Sequence, residues 1–246
     1  MKSLFHWGTT LSLTGSLAWG MLLGGSVPAL ALPPEQVSSS LGVTPIFFIM
    51  SGNNQLMYVS TENQERVSPR FISRQDAEAF LAKLKQDNPQ LANQAQVAAI
   101  PLGELYKADL EGANQSQGVE FQYVATQQQI RAAQQVQQQF VGTPLFYATV
   151  GDDSLTIQQN GKTVIPFFFE QQGLMQMVER FRREQPAQAA NVQVKVVPLE
   201  AVIETLKMSN DQALTQIVLV PSQEALEFVR SVQEQVQQQN QSNRSN

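Results

Sequence analysis

The chain has 246 residues, a formal net charge of −5, a single His and no Cys, and its 42% hydrophobic content is enough to furnish a core. The acidic balance, with Arg180, Arg182 and Arg183 as the one basic group that stands out, excludes a nucleic-acid partner. The lone His is His6, at the extreme N-terminus, so the remainder has neither His nor Cys. Histidine-based triads, His-ligated zinc, thiol chemistry and disulfides are therefore excluded.

Lys2 precedes an uncharged run with the apolar stretch Leu17 to Leu23, and Ala29-Leu30-Ala31 supplies a small-x-small cleavage pattern. The reading is a signal peptide over residues 1–31, removed on export. Gly20, Gly24, Gly25 and Pro28 break the apolar run before it reaches membrane-spanning length. Every later apolar run stops short of about 18 residues, so no transmembrane segment is expected in the mature chain.

From residue 41 onward the chain contains itself twice. Thr44-Pro45-Ile46-Phe47-Phe48 returns as Thr143-Pro144-Leu145-Phe146-Tyr147, an offset of 99. Pro69-Arg70-Phe71 answers to Pro166-Phe167-Phe168 at offset 97, and Val97, Ile100, Pro101, Leu102 to Val194, Val197, Pro198, Leu199. Tyr123 to Gln127 answers to Leu219 to Gln223 at offset 96. The first half-repeat is assigned to 32–139, with its core at 41–139, and the second to 140–237. The Gln- and Asn-rich residues 238–246 are expected to be a disordered tail.

Each unit of about 97 residues reads in the same order. Two short apolar runs are separated by turn residues, Ser51-Gly52-Asn53-Asn54 in the first and Gly151-Asp152-Asp153 in the second. A helix follows, announced by Ser73 as N-cap with Asp76 three residues on and by the stripe Ala77, Phe80, Leu81, Leu84, which recurs as Leu174, Met177, Val178, Phe181. Next come a strand, a short helix after Pro101 or Pro198, another strand, and a closing helix capped by Thr126 or Ser222. The predicted fold class is α+β, with two pseudo-twofold-related halves, each an antiparallel sheet with helices on one face.

No catalytic residue, metal ligand or cofactor is assigned, and the chain is expected not to be an enzyme. Asp152-Asp153 reads as turn chemistry, Asp109 and Glu111 as solvated loop residues, and the three Arg near residue 182 as complements to a helix C-terminus. The unexplained feature is an apolar excess on both faces of the early strands. A nonpolar polypeptide-binding surface is assigned to Phe47, Phe48, Phe71, Phe146, Phe167 and Phe168, with Met50, Met57, Met175, Met177 and Met208 around the same elements.

The leader, the Thr-Pro-Ile-Phe-Phe opening at 44–48, the Pro-x-Phe passages, the segments 97–102 and 194–199 and the duplicated layout together resemble the Tic twenty-two family of cyanobacteria and plastids. That family is named for a component of the translocon at the inner chloroplast envelope. The resemblance covers the mature chain and implies a pseudo-symmetric α+β protein with nonpolar pockets and no catalytic residues. It implies a soluble periplasmic chaperone that shields apolar segments of unfolded or precursor outer-membrane proteins, with the outer-membrane assembly machinery as a further partner. The thylakoid lumen is the other compartment reached by such a leader. A non-catalytic scaffold subunit docking on translocation or assembly machinery is the alternative.

Overall fold

The computed structural model describes residues 11–13 and 31–244, apart from 54, 61–62, 93 and 113–117. The leader expected at 1–31 therefore lies outside the described residues, except for 11–13 and Ala31. In chain order the elements are β1 (Leu11–Leu13), α1 (Pro34–Leu41), β2 (Pro45–Met50), β3 (Val59–Ser60), β4 (Arg66–Phe71), α2 (Arg74–Asp87), α3 (Pro89–Ala92), β5 (Gln96–Pro101), α4 (Leu102–Leu110), β6 (Val119–Val124) and α5 (Gln127–Val136). There follow β7 (Pro144–Val150), β8 (Asp153–Gln159), β9 (Lys162–Phe168), α6 (Gln171–Glu184), β10 (Val192–Pro198), α7 (Leu199–Met208), β11 (Ile217–Val220) and α8 (Gln223–Arg244), with short 3-10 turns before β10 and β11.

Local chemistry accounts for most boundaries. The Ser73 hydroxyl accepts a hydrogen bond from the Asp76 amide at 3.3 Å and the Ser222 hydroxyl one from the Ala225 amide at 3.1 Å, so both helices start where a free N–H needs a partner. Pro101 and Pro198, with φ of −58° and −68°, end a strand and sit at the N-caps of α4 and α7. The β8 to β9 connection is Asn160-Gly161, with φ of 52° and 76°, the geometry of a two-residue hairpin loop.

The chain forms two compact units, each with its own sheet: Val43–Thr126 with Pro221–Asn246, and Met1–Gly42 with Gln127–Val220. These and the contiguous repeats at 41–139 and 140–237 are different divisions of the chain, because the helix ending each repeat packs in the unit built from the other. Several strand pairings recur in both, although β7 pairs with β8 in the second sheet while β2 and β3 are not paired among the described residues of the first. Pro45 lies opposite Pro101 on β2 and β5, and Pro144 opposite Pro198 on β7 and β10. Phe47 faces Phe71, and Phe146 faces Phe168. The Leu102 amide donates to the Thr44 carbonyl and the Leu199 amide to the Thr143 carbonyl; the Ile72 and Phe169 amides donate to Val124 and Val220. These registers and amide-to-carbonyl bonds recur at the positions that correspond in the sequence.

Three details differ from the sequence reading. The sheets are mixed, since β4 pairs with β6 and β9 with β11 in parallel. Helices lie against both faces of the first sheet: Phe71 packs on Ala77 and Phe80 of α2, whereas the adjacent Arg70, which points the opposite way, binds Asp109 of α4. That two-sided cover explains why β2 is apolar on both faces. Finally, α8 continues to Arg244 through residues read as a disordered tail, because Gln is an adequate helix former once a docked first turn has supplied the nucleus.

Candidate functional site

Of the six Phe assigned from sequence, Phe47, Phe71, Phe146, Phe167 and Phe168 are buried and Phe48 is half-buried. They do not gather into one exposed patch. Phe71 and Phe47 belong to a cluster with Ala77, Phe80, Val97, Val124 and Phe228, while Phe146 and Phe168 sit in the second core with Leu174, Met177, Val178 and Phe181. Phe167 points the other way and stacks on Tyr147, with ring centroids 4.7 Å apart and planes at 16°; burial raises the Tyr147 phenol pKa. The methionines scatter as well: Met177 is core, and Met208 is exposed at the end of α7.

A concavity that opens to solvent lies in the first unit, between α8 and the edge strand β5. It measures about 240 Å³ and has Phe47 as its floor, Val97, Ala98 and Ala99 as one wall, and Phe228, Ser231, Val232 and Gln235 as the other, with Arg74 at its head. The α8 contributors fall at i, i+3, i+4 and i+7, a single helix stripe. The stripe runs on to Val236, and Val232 and Val236 are 39% and 49% exposed. Small side chains on β5 keep the space open. The Phe228 ring meets Phe47 edge-on, with centroids 5.0 Å apart.

The first turns of two helices hold the head of this groove. The Gln75 amide, one of the free N–H groups at the start of α2, donates to Glu224 Oε1 of α8 at 2.9 Å. The Arg74 guanidinium lies 5.5 Å from the Phe228 ring centroid and pairs with Glu78 at 2.7 Å. Burial, and then the charge of Glu224, push the Asp76 carboxyl pKa up. Among the described residues no group of three or more His, Cys, Asp or Glu is placed to hold a metal ion.

Of the residues assigned from sequence, Phe47 lines this concavity; Phe228, Val232 and Arg74, which also line it, were not assigned. A signal for two of them was present: Phe228, Val232 and Val236 recur every four residues in a helix otherwise rich in Gln. Asp109, read as a loop residue, is on α4 and pairs with Arg70 through two contacts of 2.7 Å.

Comparison with known proteins follows the same outline. The model of the Tic22-like family matches residues 14–231. Protein TIC 22, chloroplastic, of Pisum sativum is 24% identical over 227 residues, covering 88% of this chain and 86% of the pea protein. Its Arabidopsis thaliana counterpart is 24% identical over 201 residues, covering 79% and 70%. The solved structure of Anabaena Tic22, described as a protein of protein transport, aligns with a TM-score of 0.68 at 23% identity, over 81% of this chain and 97% of that one. Tic22 from Plasmodium falciparum aligns with a TM-score of 0.60 at 22% identity, over 80% and 97%. These structures share the α+β fold, and with a family model spanning most of its length, this chain belongs to the Tic22-like family.

Proposed function

We propose that the protein is a non-enzymatic holding chaperone that binds apolar segments of precursor polypeptides during their transport. It works in the periplasm, or in the thylakoid lumen if its leader directs it there, and its clients are unfolded outer-membrane proteins. The observation that carries this reading is the groove between α8 and β5, with Phe47, Val97, Ala98, Ala99, Phe228 and Val232 as its apolar lining and an exposed Val236 continuing the stripe. At about 240 Å³ it falls below the usual size of a small-molecule site but admits individual apolar side chains of a passing chain. Arg74 at its head and Ser231 and Gln235 on the α8 wall add polar groups that extended backbone can use. The transport role in the names of the relatives is consistent with such an activity.

The test is light scattering from an unfolded outer-membrane barrel protein diluted into buffer with the parent chain or its Val232→Glu variant. Val232 is on the surface, so the variant keeps its fold, whereas Phe47→Ser or Phe168→Ser would open a cavity costing about 3–5 kcal/mol and so test folding instead. Suppression by the parent and its loss in Val232→Glu is the expected result. Equal suppression by both would remove the groove as the site. No suppression by the parent at several-fold excess would favour the scaffold alternative.

A further inference from the structure

β8 has neighbours on one side in β7 (Thr149↔Ser154, Val150↔Asp153) and β9 (Ile157↔Val164, Gln158↔Thr163, Gln159↔Lys162). The residues flanking a two-residue hairpin loop exchange both of their backbone hydrogen bonds, so Gln159↔Lys162 is a hydrogen-bonded pair, and by alternation so is Ile157↔Val164. The contact of Gln158 Nε2 with Thr163 Oγ1 at 2.7 Å fits the intervening, non-hydrogen-bonded pair, where side chains come closer. Odd-numbered residues of β8 therefore direct N–H and C=O toward β7 and β9. Ser154, Thr156 and Gln158 direct theirs outward.

That outward edge carries β1, from the leader region, in antiparallel register with Leu11 opposite Ile157, Ser12 opposite Thr156 and Leu13 opposite Leu155. Leu155 and Ile157 belong to the buried core of this unit. Two other one-sided strands carry devices that discourage pairing, although β11, Ile217–Val220, has neither a charge nor a Pro. β10 has an exposed Lys195 at mid-strand and β5 ends on Pro101. From Ser154 to Gln159, β8 has neither a charge nor a Pro.

We propose that the outer edge of β8 is a strand-addition site, filled in the precursor by Leu11-Ser12-Leu13 and, once the leader is gone, by an extended client segment with an apolar residue at every second position. Main-chain hydrogen bonds from Ser154, Thr156 and Gln158 supply affinity, and the places beside Leu155 and Ile157 supply the preference for alternation. The strands of membrane β-barrels have that period. The leader then acts as an internal placeholder that covers the edge until export is complete. The identity of the later occupant rests on the polypeptide-binding reading above; the strand-addition site does not.

The experiment measures amide exchange of the full chain, residue by residue, in the parent and in Ser12→Pro, which removes the donor facing Thr156. The Thr156 amide is expected to exchange about tenfold or more faster in the variant, with α6 and β10 unchanged as the folding control. Adding a peptide of residues 9–15 in excess is expected to restore protection. The same peptide N-methylated at Ser12 should fail, and one N-methylated at Leu11, whose N–H points away from β8, should succeed. An alternating Val/Thr heptapeptide should also restore protection, and its block-ordered isomer should not.

Equal exchange in parent and variant, or restoration by the Ser12-methylated peptide, would overturn the site; equal effects of the two heptapeptides would overturn the preference for alternating clients. Peptide-dependent protection without suppression of barrel-protein aggregation keeps strand addition and removes the chaperone reading. Suppression without peptide-dependent protection does the reverse.

Discussion

Arg70 is 5% exposed, yet it carries a full charge, and its surroundings answer that burial group by group. Asp109 accepts two N–H donations at 2.7 Å, and the guanidinium carbon lies 3.9 Å from the Phe121 ring centroid and 5.7 Å from that of Tyr123. At the equivalent place in the second repeat, Phe167 stacks on Tyr147. One position thus has two solutions, a fully partnered cation and a plain aromatic ring. Asp109→Ala strands the cation and is expected to cost about 2–4 kcal/mol, read from urea unfolding midpoints. Adding Arg70→Phe to that variant should recover most of the loss, and a double variant as unstable as the single one would contradict this account. In the sequence, Arg70 could be seen to break the repeat, but its partner could not be found: Asp109 is 39 residues away and looks like any acid before a polar loop.

The first turns of α2 and α8 meet at the head of the groove, and the Asp76 carboxyl is what this meeting makes costly to ionise. Burial and the Glu224 charge raise the Asp76 pKa in the folded chain, so the folded state holds that proton more tightly than the unfolded one. The stability this contributes is fully present below the ordinary Asp pKa and is lost as pH rises through the raised value. Asp76→Asn is accordingly expected to gain stability relative to the parent between about pH 3 and pH 7, compared by urea midpoints at each pH. A difference that is flat, or that falls with pH, would show that Asp76 does not hold its proton more tightly in the folded chain. Capping was legible at this scale, because Ser73 and Ser222 act on amides three residues away. The β8 to β9 hairpin was legible in principle from Asn160-Gly161 but was masked by the long apolar run after it. The parallel partners β6 and β11 were not legible in pairing, since a crossover leaves no mark in local spacing.

Across the whole molecule the order of short motifs repeats, and several strand registers recur at the corresponding positions. The exchange of closing helices could not be read from that order, because a sequence shows that a helix follows β6 or β11 and not which sheet it will cover. In the structure α5 places Ala132, Ala133 and Val136 in the core of the second repeat, and α8 places Phe228 over Phe47 and Phe71 of the first. A chain truncated after Val220 should therefore bind a hydrophobic dye and melt at lower temperature. A chain truncated after Gln237 should match the parent, because Gln238, Gln239 and Gln241 are exposed. Equal melting of all three would mean that α8 is not part of the first core. This arrangement also sets the order in which the parts can be completed. The repeat that leaves the ribosome first is the last to be finished, waiting with its Phe47 face uncovered until the final helix arrives. If the chain is exported unfolded through a narrow channel, as the proposed function requires, that delay is a safeguard against closing too soon.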